Sequence, residues 1–213
     1  MKRTKRFWHS LGWFAAFAAW TALVCFADVR QIGPQGTSVG LGGINQFFHG
    51  LTGVHFALYD LTDWLGLVPI AVCMGFGVLG LVQWIRRKDL RKVDADILAL
   101  GGFYAVTVAA FILFEALAVN YRPVLIDGVP EASYPSSTTL LVMCVMPTAM
   151  LQLHKRTQKK WLRRFLLLAL AAFTAFMVVG RLICGVHWFS DIVGGGLLSA
   201  GLVTLYAAVC DIV

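Results

Sequence analysis

Six stretches of apolar residues, each close to the roughly 20 residues that cross a bilayer as a helix, alternate along this chain with short polar turns. They fall at about 7–27, 66–85, 97–119, 136–153, 165–184 and 192–210. The pattern predicts an all-α integral membrane protein with six transmembrane helices, because a helix pairs its own backbone groups where no water can. One segment breaks the rhythm. Residues 28–65 open with the flexible run QIGPQGTSVGLGG and then turn amphipathic in NQFFHGLTGVHFALYDLTDW. This second half predicts a helix lying in the interface, with its aromatic rings at headgroup depth.

Composition narrows the class. With 59% hydrophobic and 14% charged residues and a mean hydropathy of +0.75, the chain lacks the polar residues to cover a soluble domain. Its net charge of +7 would suit nucleic acid if it formed one basic surface, but the positions say otherwise. Four basic residues precede the first apolar stretch, five follow the second and six follow the fourth, 15 of the 18 Lys and Arg. With six crossings these groups share one face of the membrane, and Arg30, Arg122 and Arg181 share the other. Lys and Arg in short loops stay on the cytoplasmic side, so both termini are expected there and no nucleic-acid partner is called for.

The basic start MKRTKR has the look of a signal peptide, yet the apolar run behind it is about 21 residues long and no small-x-small cleavage signal follows. An uncleaved helix is expected. The five cysteines lie scattered in apolar segments without a CxxC, which reads as packing. Without repeats or low-complexity tracts, residues 1–213 are expected to form one membrane domain, and the short turns suit a bacterial plasma membrane.

Charged residues at the end of an apolar segment are costly and call for a reason. In GRLICGVHWFSD, residues 180–191, His187 and Asp191 are four apart. On a helix they would share a face, with the carboxylate bound to one ring nitrogen and the other nitrogen free as base or nucleophile. Arg181, six residues earlier, offers a fork of donors for two phosphate oxygens. A second cluster lies on the same side of the membrane, in EALAVNYRPVLIDGVPEASYPSSTT, residues 115–139. It brings Arg122, and then Pro135, Ser136, Ser137 and Thr138 at the entrance of the fourth helix, where free backbone N–H groups favour anions. His49 and His55, in the 28–65 segment, read as surface or packing residues.

These residues resemble the signatures of the membrane-bound PAP2 (type 2 phosphatidic acid phosphatase) family, which are Lys-x6-Arg-Pro, Pro-Ser-Gly-His and Ser-Arg-x5-His-x3-Asp. The third is met by Arg181, His187 and Asp191, with Gly180 for the leading serine. The second reads Pro135 to Thr138, the first Glu115 to Pro123, and order and spacing match over about 97–210. The resemblance implies a six-helix core and phosphate cleavage from a membrane lipid, with no metal or cofactor. By position His187 would be the nucleophile that becomes phosphohistidine and Asp191 its partner, while Arg122, Arg181, Ser136 and Ser137 would bind phosphate.

Two positions depart from the family pattern. Thr138 stands where the family has the histidine that protonates the leaving group, and Glu115 stands where it has a lysine. Three readings are open. Substrates whose leaving group needs little protonation, such as polyprenyl diphosphates, would dispense with the acid. Alternatively Glu115, about 10 Å or two turns before Arg122 on a continuous helix, replaces the acid, or simply pairs with Arg122 or Arg181. In the third reading the protein is catalytically impaired and binds, transports or regulates lipid phosphates. A serine protease built on Ser136 or Ser137 with His187 fits poorly, because two arginines suit an anion better than a peptide bond.

Overall fold

The computed structural model describes residues 2–126 and 128–211. It contains the helices α1 (Lys2–Phe26), α2 (Gly42–Thr52), α3 (Phe56–Leu65), α4 (Leu67–Arg87), α5 (Ala95–Leu117), α6 (Ser137–Arg156), α7 (Lys160–Ile183) and α8 (Phe189–Cys210). Among the described residues, six runs are long and apolar enough to cross a membrane, once α3 and α4 are taken together as Phe56–Arg87. They overlie the six stretches expected from the hydropathy pattern, except that the second begins ten residues earlier, at Phe56.

Helices α6 and α8 form the centre. Half of each spanning window is buried, against 6–22% for the other four. This explains why α6, with polar Thr139, Thr148 and Gln152 along it, is still a spanning helix: all three are buried against protein. Thr148 donates to the carbonyls of Cys144 and Val145, and Gln152 donates to the hydroxyl of Tyr206. Helix α1 packs antiparallel on α8. Ser10 donates to the Gly201 carbonyl (2.9 Å) at one end, and Trp20 Nε1 donates to the Ser190 carbonyl (3.0 Å) at the other.

The amphipathic half of the 28–65 segment does fold as helix, but as two pieces separated at Gly53, whose φ of +68° favours glycine. Both pieces pack on the protein. Helix α2 lies over the start of α8, where Phe48 stacks on Phe189 (4.2 Å) and Asn45 exchanges hydrogen bonds with Ser190. Helix α3 lies on α7 and continues through Gly66, which keeps right-handed helical dihedrals, into α4. The interfacial helix is thus joined by a second piece that belongs to the spanning run, because Thr62 finds a partner surface at Gly180.

The opposite end is tied by charge. Arg156 of α6 donates to Asp96 Oδ1 (2.9 Å) and lies 3.4 Å from Asp94, which also accepts from Arg87 and Gln83. Those two donors hold the Asp94 carboxyl below the usual carboxylate range. The network joins α4, α5 and α6 beneath the bundle. Replacing Asp96, whose side chain is 14% exposed, with Asn removes the charge opposite Arg156 and should cost about 1–3 kcal/mol, lowering Tm in detergent by about 3–8 °C. The exposed Arg6 and Asp211 pair serves as control, since Arg6→Gln should shift Tm by under about 2 °C in the same melt followed by tryptophan fluorescence.

Candidate functional site

The site forms at the end of the bundle opposite that network, where the α5–α6 and α7–α8 connections meet under α3. His187 sits in the turn between α7 and α8, one residue before the N-cap Trp188. It therefore shares no helix with Asp191, which is the third residue of α8, and the expected arrangement of both on one helical face is replaced by a cap. Asp191 Oδ2 accepts from the Trp188 N–H (3.0 Å) and lies 3.8 Å from His187 Nδ1, an ion-pair distance longer than a hydrogen bond.

The turn is held by close backbone approach. Gly185 has φ +69°, and a Cβ there would overlap the carbonyl oxygen of Gly53. Beside it, the His55 N–H donates to the Cys184 carbonyl (3.0 Å). The polar turn of the 28–65 segment thus supports the histidine turn from outside.

His187 Nε2 faces two guanidinium groups, 3.4 Å from Arg122 Nη1 and 3.4 Å from Arg181 Nη2. A nitrogen facing only N–H donors accepts, which leaves the ring proton on Nδ1, toward Asp191. Burial pushes the His187 pKa well below its ordinary 6.5, and the positive charges of Arg122 and then Arg181 push it the same way. Both effects favour the neutral ring. Arg181 is fully buried and projects from the last turn of α7, donating also to Thr62 Oγ1 (3.3 Å).

Arg122 follows the end of α5 and is tied to the next strand of the loop, its N–H donating to the Glu131 carbonyl (2.9 Å) and its Nε 3.0 Å from Glu131 Oε2. The carboxylates beside the arginines, Glu131 and Asp63, are 38% and 61% exposed, so water screens them. Inside the protein the positive charges outweigh the single buried Asp191. Among the described residues, the Nε of Arg181, the Nδ1 of His187 and the Oγ of Ser133 are buried without a hydrogen-bond partner. Such a set suits a multivalent anion that accepts several hydrogen bonds.

The serines take the expected place at the helix entrance. Ser136 is the N-cap of α6, its Oγ accepting from the Thr139 N–H (3.4 Å), and its own N–H donates to the Asp191 carbonyl (3.0 Å). That bond joins the two motif-bearing connections. Glycines of α8 permit it: a Cβ on Gly195 would press on the Ser136 carbonyl (3.2 Å), and one on Gly194 would reach the Tyr134 ring (2.5 Å). Ser137 and Thr138, both half-buried, line a cavity of about 350 Å³ together with Asp63, Leu67, Ile70, Phe111 and Leu141.

Glu115 does not reach the cluster. Helix α5 ends at Leu117 and Ala118 turns left-handed (φ +44°), so the continuous helix needed to bring Glu115 under Arg122 is absent. Its side chain is exposed on α5, and Glu131 is the carboxylate that pairs with Arg122.

Other participants carried no motif. Asn120 lies within the quoted EALAVNYRP stretch, a lone amide at the end of an apolar helix, and its Nδ2 donates to Asp191 Oδ1 (3.4 Å). Asn45, fully buried, donates to Ser190 Oγ (2.9 Å), which in turn donates to Asp191 Oδ1 (3.3 Å). Tyr59 of α3 holds its ring over both arginines. No group of three or more His, Cys, Asp or Glu among the described residues is placed to hold a metal ion.

A six-span helical bundle with a buried histidine facing two arginines at one end is a membrane protein whose buried polar groups are mostly cationic there. Residues 117–211 match the model of the PAP2 superfamily. The whole fold is similar to the crystal structure of a transmembrane PAP2 type phosphatidylglycerolphosphate phosphatase from Bacillus subtilis. The TM-score is 0.57 at 16% identity, covering 97% of this chain and 98% of that one, which makes the likeness one of fold. No curated protein matches this chain.

The arginines' hold on the imidazole can be measured. In a ¹³C-histidine NMR titration, His187 should stay neutral as pH falls through 6.5, and Arg122→Ala or Arg181→Ala should raise its pKa, because each removes a positive charge that disfavours the imidazolium.

Proposed function

We propose that the protein is a membrane phosphatase that removes phosphate from a lipid phosphate or a polyprenyl diphosphate through a phosphohistidine. The observation that carries this is the meeting of two guanidinium groups on the unprotonated Nε2 of a buried, neutral His187. A phosphoryl group placed between the arginines would have its charge offset and its phosphorus in front of the nucleophile, the two requirements of phosphoryl transfer.

In the first step Nε2 bonds to phosphorus while the bond to the leaving oxygen breaks. The ring becomes cationic, and Asp191, beside Nδ1, stabilises it. In the second step water takes the phosphoryl group and His187 returns neutral, releasing inorganic phosphate. Ser136 and Ser137, at the entrance of α6, would add donors to the phosphate oxygens.

The leaving group sets the preference. Thr138, at the position of the family's acid, has a hydroxyl far too weakly acidic to protonate an alkoxide near neutral pH. A diphosphate ester leaves as a phosphate monoester and needs no such help. The apolar cavity beside Ser137 and Thr138 suits the hydrocarbon part of such a substrate. The concentration of Lys and Arg in the turns at the other end supports a cytoplasmic position for both termini, with the site on the outer face of the plasma membrane. The alternative, a protein that binds or moves lipid phosphates without turnover, draws on Thr138 and on the 3.8 Å gap between Asp191 and the ring.

Purified protein in detergent, without added metal, should release phosphate from a polyprenyl diphosphate faster than from phosphatidic acid or phosphatidylglycerolphosphate. His187→Ala should lower release at least about a thousandfold. No release by folded wild-type protein would favour the binding reading. Thr138→His should raise turnover of alkyl monophosphates more than of diphosphates, and equal gains would sink the leaving-group argument.

A further inference from the structure

The 28–65 segment supplies a residue that the family signatures do not contain. We infer that Tyr59 is a positioning residue whose ring face holds Arg122 and Arg181 side by side and so sets the affinity of the site for phosphate. This rests on the reading of those arginines as phosphate ligands.

The Cζ atoms of Arg122 and Arg181 lie 5.9 Å and 4.9 Å from the Tyr59 ring centroid, both within cation–π range. Two like charges aimed at one nitrogen repel, and among the described residues the fully buried carboxylate nearest them, Asp191, lies across the imidazole, 3.8 Å from Nδ1. A carboxylate in place of the ring would relieve that repulsion but would also repel the incoming anion. The negative face of an aromatic ring attracts both guanidinium groups while carrying no net charge.

Helix α3 is built to hold the ring there. Three residues on, and so on the same face, Thr62 accepts from Arg181 Nη1 (3.3 Å). Thr62 also packs on Gly180, where a Cβ would lie 2.9 Å from its methyl group, a β-branched side chain with little room to turn. Gly180 is the position at which this sequence departs from the serine of the third signature. The missing side chain admits α3, and α3 brings the ring.

The test is orthophosphate binding by the purified full-length protein in detergent, measured by calorimetry, for wild type, Tyr59→Phe and Tyr59→Leu. The phenyl ring should keep Kd within about twofold, and leucine should weaken it about tenfold, the loss expected for two partly exposed cation–π contacts. A series with mono-, di- and pentafluorinated phenylalanine at position 59 keeps the shape and drains the ring face of charge. Log Kd should rise stepwise along it. That series decides the matter even if Tyr59→Leu misfolds, and a Kd flat across it overturns the inference, as does a leucine variant that binds like wild type.

Failure of the enzyme reading looks different. Wild type that binds phosphate with this ring dependence but releases none from any substrate leaves Tyr59 in its role and removes the phosphatase. Wild type that binds no phosphate at all overturns both.

Discussion

Two guanidinium groups meet one buried imidazole nitrogen, and the rest of the structure follows from the difficulty of keeping them there. Each arginine is fixed by something other than a buried counter-ion. Arg122 is held by the main chain of Glu131 and by a carboxylate that water screens, and Arg181 by the hydroxyl of Thr62. The imidazole is held by its turn and by Asp191. Removing any of these supports leaves a charge or a polar atom stranded in a buried place, where the cost is several times that of a lost surface contact.

Asp191 does more than face the ring. Its carboxylate caps α8 through Trp188 and takes hydrogen bonds from Asn120 and Ser190, while its carbonyl accepts the Ser136 N–H. One residue thereby joins the end of α5, the start of α6, the start of α8 and, through Asn45, helix α2. The consecutive glycines of α8 let the backbones come close enough for this to happen. Helix packing and site geometry are the same set of contacts at this end of the molecule.

How much of this was legible in the sequence depended on range. The six spans were, because hydrophobic length is a local property that the bilayer enforces. The histidine, its aspartate and the two arginines were, because their spacing is carried in short motifs. The helical face proposed for His187 and Asp191 was not right in detail: four-residue spacing suggests a helix, and α8 starts only after the histidine. Glu115 failed for a similar reason, since nothing in EALAVNYRP announces the left-handed turn at Ala118. Tyr59 and Asn45 were out of reach, one aromatic and one amide in a segment that meets the site only in three dimensions, far from it along the chain.

The run Phe56–Arg87 is 32 residues long, about 48 Å as helix, and only 6% of its spanning window is buried. A hydrocarbon layer is about 30 Å thick, so the excess is taken up by tilting or by emergence of the α3 end. Most of its surface is therefore left to an apolar solvent rather than to the protein interior. At its outer end it carries Tyr59 and Thr62. The same run thus meets its surroundings in two ways, with a mostly exposed apolar surface along its length and, through the contact of Thr62 with Gly180 on α7, a support for Arg181 at its outer end.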